Sequence, residues 1–417
     1  MKKVIIIVIV LFFSLKIFGQ DGDHSSNKNV VIDNNIDPNI HIEKLYQLNS
    51  DYRDINLSIT PDGKYLYFMS TRGGQPWSIQ YGYYKGHIRY DGDIWYSENI
   101  GGKWSSPRVV PEPVNSLDGE DEPCIMPDGL RVVYQSWRSG WESNRGPYYM
   151  AELNGTEWGS PVGLGGGINR FFKKEMDKYG QYGTDGMSIS PDGKLFVVAC
   201  GYDYNGKLDL YYSRKISSEW TYLKKMNIST AGDERSVFIA ADNRTIYFAS
   251  DGLGGYGGLD IFRGTINEKG QVTDVENIGK PFNSQLDDFG FIITADGRQA
   301  YFVREDDIYM ATFDTIVKNI APTKSLLIGG NLYGCDNTPK VTHLILTSQS
   351  GDIIAESKTS EAGRFLFSTE YKEGIYQIKD TDGKIIQVVE VKNTTPTELN
   401  FKIVQCNPKI GRAVVKH

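Results

Sequence analysis

The stretch SITPDGKYLYFMSTR at Ser58–Arg72 constrains this chain more than any other feature, because variants of it return four times. The later copies begin at Ile125 (IMPDGLRVVYQSWR), Ile189 (ISPDGKLFVVAC), Ile239 (IAADNRTIYFAS) and Ile293 (ITADGRQAYFVR). Each sets Asp-Gly or Asp-Asn between two apolar runs, the chemistry of a tight turn joining adjacent antiparallel strands. The turn aspartates are Asp62, Asp128, Asp192, Asp242 and Asp296, spaced by 66, 64, 50 and 54 residues. A period that long holds several short strands, as propeller blades do. Strand A precedes each turn and strand B follows it. Strand C falls at a DI-x-Y-like element (Asp93, Tyr148, Leu208, Leu259, Asp307), and strand D is outermost. The fifth repeat lacks strand D after Phe313. The segment from Ile42 to Asp51 is its candidate, since LNSDYRD at its end resembles VNSLDGED at Val114 and FNSQLDD at Phe282. An N-terminal strand completing the last blade removes the exposed edges of an open ring. The prediction is an all-β protein with a five-bladed β-propeller over residues 42–314.

Composition supports this and bounds the partners. Tyr, Phe and Gly are abundant and no long amphipathic helical pattern stands out, as in an all-β chain. Met1–Gln20 reads as a signal peptide: two lysines, an apolar run interrupted by Lys16, then Gly19. Residues 21–41 read as a flexible polar leader. Removing Lys2, Lys3 and Lys16 leaves 42 basic against 52 acidic residues, a balance opposed to nucleic-acid binding. No other stretch is long and apolar enough to span a bilayer. The expected location is the periplasm or the outer-membrane periphery.

Antiparallel order puts the short A–B turns on one face of the ring and the B–C insertions and D–A connections on the other. The insertion face is aromatic and basic. Trp77, Tyr81, Tyr83, Tyr84 and Arg89 come from the first blade and Trp137, Arg138 and Trp141 from the second, while Phe171, Phe172 and Tyr182 lie in the connection to the third. Such residues on loops of a rigid scaffold form binding hot spots; the alternative is that they pack on one another and cover the ring. On the same face, eight residues before each turn aspartate, stand Asp54, Glu120, Thr184, Glu234 and Asp288. Four carboxylates there suit a cation or acid–base chemistry on a sugar. They equally suit bonds to the backbone of the neighbouring blade, and repetition in every blade but one favours that structural role.

The repeats resemble the TolB-type, WD40-like propeller repeat, S-x-D-G-K-x-L-Y-F-x-S, best matched at Ser58–Ser70. Asn115–Pro123 and Gly254–Phe262 match the fuller form, N-S-x-x-D-E-x-P and G-G-x-G-G-x-D-I-F. This pattern is similar to propellers of envelope proteins in bacteria that use type IX secretion. After a linker at 315–324, residues 325–404 carry alternating strands. SGDIIAESKTSEAGRFLFS and EGIYQI there resemble the carboxypeptidase-regulatory-like, transthyretin-like β-sandwich, through Thr359, Gly363, Arg364, Phe365, Gly374 and Tyr376. In the envelope proteins an OmpA-like wall-binding domain often follows. Here a tail, 405–417, ends at His417, so peptidoglycan contact is expected only indirectly. Cys335 and Cys406 flank the second domain and are candidates for a disulfide; Cys124 and Cys200 read as buried thiols. No His or Cys spacing suggests a metal, no G-x-S-x-G occurs, and the Gly-rich loop at Gly252 opens no helix, so no catalytic residue, metal or cofactor is expected. The reading is a non-enzymatic envelope scaffold that binds other envelope proteins, an outer-membrane-associated secretion complex among them. The alternative is a glycan-binding or glycan-hydrolysing propeller.

Overall fold

The computed structural model describes residues 37–84, 86–202 and 207–406. The segment read as a signal peptide, most of the segment read as leader and the tail from 407 onward lie outside these residues. Five sheets of four or five antiparallel strands follow one another around a ring, each running from an inner to an outer strand. The inner strands are Asp54–Ile59, Glu120–Ile125, Gly183–Ile189, Glu234–Ile239 and Asp288–Ile293. The fold is therefore an all-β propeller. Ile40–Lys44 is the outer strand of the fifth blade and pairs with Asp307–Phe313 in register Ile40↔Phe313. It starts two residues inside the segment read as leader.

The N-S-x-x-x-(D/E) pattern staples one blade to the next. Asn115 Oδ1 accepts from Ile94 N (2.8 Å), and Asn115 Nδ2 donates to Ile94 O (3.0 Å) and Val110 O (2.7 Å), all in the first blade. Ser116 then holds Glu120, which opens the second blade, through its N–H and hydroxyl, both at 2.6 Å. Asn49 with Ile308 and Asn283 with Ile261 repeat the clamp, and Ser229 makes the same pair of bonds to Leu210. Each staple satisfies buried main-chain groups at a boundary where no sheet ladder runs.

One boundary is built differently. Between the second and third blades the chain forms a helix, α1 (Gly166–Tyr179), where the sequence suggested only an aromatic connection. Ile168, Phe171 and Phe172 lie on one helical stripe and enter a core with Trp141, Tyr148, Phe196 and Trp220. The helix ends at Gly180, whose φ of 72° gives the left-handed conformation of a helix stop. Thr184, the second residue of the next inner strand, stands where the other blades carry a carboxylate.

A second unit follows the ring. Arg364–Glu370, Ser325–Tyr333 and Glu398–Val404 form one sheet; Ile353–Lys358, His343–Ser348, Gly374–Lys379 and Ile385–Val391 form another. Their inner faces share an apolar core that includes Leu326, Phe365, Phe367 and Ile378. A disulfide joins Cys335 and Cys406, with Cα atoms 5.0 Å apart. This sandwich sits on the A–B turns. Asp128 Oδ2 accepts from Lys358 N (3.0 Å), Asp242 Oδ2 from Thr323 N (2.8 Å), and Arg364 pairs with Asp62. Lys194 Nζ donates to Ile353 O at 2.7 Å, and Ser368 Oγ to Ala241 O at 2.7 Å. Contacts from four blades thus lay the sandwich across the turn-side mouth of the channel.

Candidate functional site

With one mouth covered, the open approach to the channel is from the insertion face. The aromatic residues expected there divide into two sets. Trp141, Phe171, Phe172 and Tyr182 are 0–7% exposed and stack on one another, for example Phe171 on Tyr182 at 5.8 Å. Half-buried Trp137 joins them, 5.1 Å from Trp141. Arg138 is tied to Glu120 at 3.0 Å and to Val114 O at 2.7 Å. Placing these residues on a binding surface is corrected: α1 turns their rings into the core, because its apolar stripe needs cover. Trp77 Nε1 donates to buried Asp93 at 2.7 Å, and the Asp93 carboxyl is pushed up to about 6, chiefly by burial. Tyr81 and Tyr83 remain at the surface, 70% and 76% exposed, on a two-stranded arm (Gln80–Tyr84 with His87–Tyr90), and Arg89 stacks over the Tyr81 ring at 4.8 Å. Tyr84 belongs to the same strand.

The four aligned carboxylates do not line the mouth. Asp54, Glu120, Glu234 and Asp288 are at most 1% exposed. Each accepts from the Ser or Thr four residues earlier: Ser50, Ser116, Thr230 and Ser284. Arg72, Arg138 and Arg304 pair with three of them at 2.6, 3.0 and 2.5 Å, and Ser250 serves Glu234 at 3.0 Å. Their bonds therefore fix the connection between blades, through side chains as much as through neighbouring backbone.

The polar groups that do face the channel stand one and two residues further on, where each inner strand carries a β-bulge. Register breaks on the inner strands at Ile55/Ser58, Asp121/Cys124, Thr184/Met187, Arg235/Phe238 and Phe289/Ile292. The bulge residues Asn56, Glu122, Gly186, Ser236 and Gly290 all have positive φ, from 50° to 105°. Glycine is required at 186, where a Cβ would lie 2.5 Å from Ser236 Cα, so the blades close on each other here. Just before the bulges, Asp121, Asp185 and Arg235 are half-buried, with Arg53 and Asp306 beside them. Arg235 Nη1 donates to Asp185 at 2.7 Å, Asn56 Nδ2 to Asp121 at 2.7 Å, and Arg53 Nε to Asp306 at 3.1 Å. All three bonds cross blade boundaries. Burial, with the charge of Asp185, pushes the Asp121 carboxyl up to about 6. Glu122 is pushed up to about 8 by burial and by the charge of Asp121, while Tyr148 Oη donates to it at 2.7 Å. This cluster was missed in the sequence. Its one readable signal was the run of three acidic residues Glu120–Asp121–Glu122 at the start of an otherwise apolar strand.

No protein-family model matches this chain, and no curated protein does. Solved structures do. An α-L-arabinofuranosidase from Lactobacillus brevis is 11% identical with a TM-score of 0.38, covering 67% of this chain and 95% of its own. A gluconolactonase from Xanthomonas campestris is 8% identical with a TM-score of 0.35, covering 66% and 90%. A Trypanosoma rangeli sialidase is 10% identical with a TM-score of 0.36; the match covers 67% of this chain and 60% of the sialidase. These likenesses concern the fold and bring no substrate with them. All three are named as enzymes, which is said of those proteins; the expectation of a non-enzymatic chain is set aside.

Proposed function

We propose that the chain binds a glycan at the insertion-side mouth of the channel and cleaves a glycosidic bond there. Asp121 carries this reading: a half-buried carboxyl raised to about 6 exchanges its proton near neutral pH, as a general acid or base must. Asp185, oriented by Arg235, supplies the second carboxylate of the pair that glycoside cleavage uses. Tyr81 and Tyr83 offer exposed ring faces on which sugars stack. The test is an oligosaccharide array followed by reducing-sugar release from the best-bound glycan. Asp121→Asn is expected to fold and to lose about 10²-fold or more in turnover. A folded wild-type chain that binds no glycan contradicts the reading.

A second reading rests on the exposed Tyr81–Tyr83 arm and on the repeat's resemblance to type IX-associated propellers. On this reading the exported chain docks an envelope protein, through that arm, at the outer-membrane periphery. In-cell cross-linking from the arm to one envelope complex, lost when Tyr81 and Tyr83 become Ser, is the expected result.

A further inference from the structure

Three side-chain oxygens at the inner strands have no hydrogen-bond partner among the described residues: Asn56 Oδ1, Glu122 Oε1 and Ser236 Oγ. Their residues are 6%, 1% and 6% exposed. All three line one small cavity, together with Gly186, Gly290, Met187 and Phe238. Its volume of about 10 Å³ holds the centre of a single water-sized sphere.

We propose that this cavity binds one hard, oxygen-seeking cation of the calcium class, held by Asn56, Glu122 and Ser236. The orientation of each donor is fixed by what its other end does. Asn56 Nδ2 is engaged by Asp121, which turns Oδ1 inward as an acceptor; Tyr148 engages Glu122 Oε2, which leaves Oε1 inward. An amide oxygen, a carboxyl oxygen and a hydroxyl lining one cavity suit an electropositive occupant. Two local cations are committed to other carboxylates, Arg235 to Asp185 and Asp233, and Arg53 to Asp306. Amide, carboxylate and hydroxyl oxygens suit a hard ion rather than zinc. Among the described residues no three His, Cys, Asp or Glu side chains gather as a metal site, so Glu122 is the one carboxylate among the proposed ligands. An independent observation points the same way. Asn56, Glu122 and Ser236 hold φ of 53°, 53° and 50°, whereas the third and fifth blades use glycine at the same place. Side chains kept where the backbone favours glycine are characteristic of functional strain. The bulges also release main-chain groups from the ladder at this level, a further source of oxygen.

The inference does not depend on the glycan reading, and its test contains no sugar. The full mature chain, stripped with chelator, is melted with CaCl₂, MgCl₂ or NaCl added singly. Calcium is expected to raise Tm by about 5 °C or more at saturation. Glu122→Gln abolishes the shift. Should that variant not fold, Asn56→Ala and Ser236→Ala are each expected to weaken binding about tenfold. No shift with any of the three ions, or a shift unchanged in these variants, overturns the proposal and assigns the cavity to water.

Discussion

Glu122 shows how one carboxyl can be structural in sequence and chemical in place. Its folded pKa lies above its unfolded value, so the stability it contributes is complete below pH 4–5 and is lost as pH rises through about 8. Without added cation, Tm is expected to fall between about pH 5 and pH 8, and Glu122→Gln is expected to flatten that fall. Thermal melts across this range check the sign; a Tm that rises with pH, or falls equally in the variant, counts against it. At this scale the sequence was half legible. The spacing found Asp54, Glu120, Glu234 and Asp288 correctly as a repeated set. It did not reveal that a serine or threonine four residues earlier encloses each of them, which passes the channel-facing role to Asp121 and Asp185. A bulge shifts which side chain faces inward, and no periodicity announces a bulge.

Among elements, the staples and α1 solve the same problem by different means. Asn115 makes three buried bonds to the preceding blade, so Asn115→Ala leaves main-chain groups of Ile94 and Val110 without partners. A loss of about 2–4 kcal/mol is expected, read by urea unfolding. Phe172 is fully buried in the second-to-third boundary, and Phe172→Ala is expected to cost about 3–5 kcal/mol. If Phe172→Ala costs less than 1 kcal/mol, α1 is not what closes that boundary. The strands were readable because each carries the Asp-Gly signature. The helix was not, although Ile168, Phe171 and Phe172 stand at helical spacing: glycines at 165–167 and 180 bracket it, and the aromatic run reads equally well as a loop.

For the whole molecule, the recurring turn aspartates do more than form turns. Asp62, Asp128 and Asp242 reach Arg364, Lys358 and Thr323, partners 81 or more residues away that no local pattern connects to them. The sandwich thereby covers the turn-side mouth and leaves the insertion side as the route to the channel. Lys358 is 5% exposed on its side chain and donates to Leu153 O (3.0 Å) and Asn154 Oδ1 (2.6 Å), so Lys358→Met combined with Arg364→Ala is expected to free the sandwich. Limited proteolysis near residues 315–324, slow in the wild type and fast in the double variant, reports the release. The measurement that tests the central claim most directly is affinity for the best-bound array glycan in three folded proteins: wild type, Asp121→Asn with Asp185→Asn on the insertion side, and Arg364→Ala on the turn side. A functional insertion-side mouth predicts at least about tenfold weaker binding in the first variant and none in the second. Equal binding by all three, or loss only in Arg364→Ala, contradicts it.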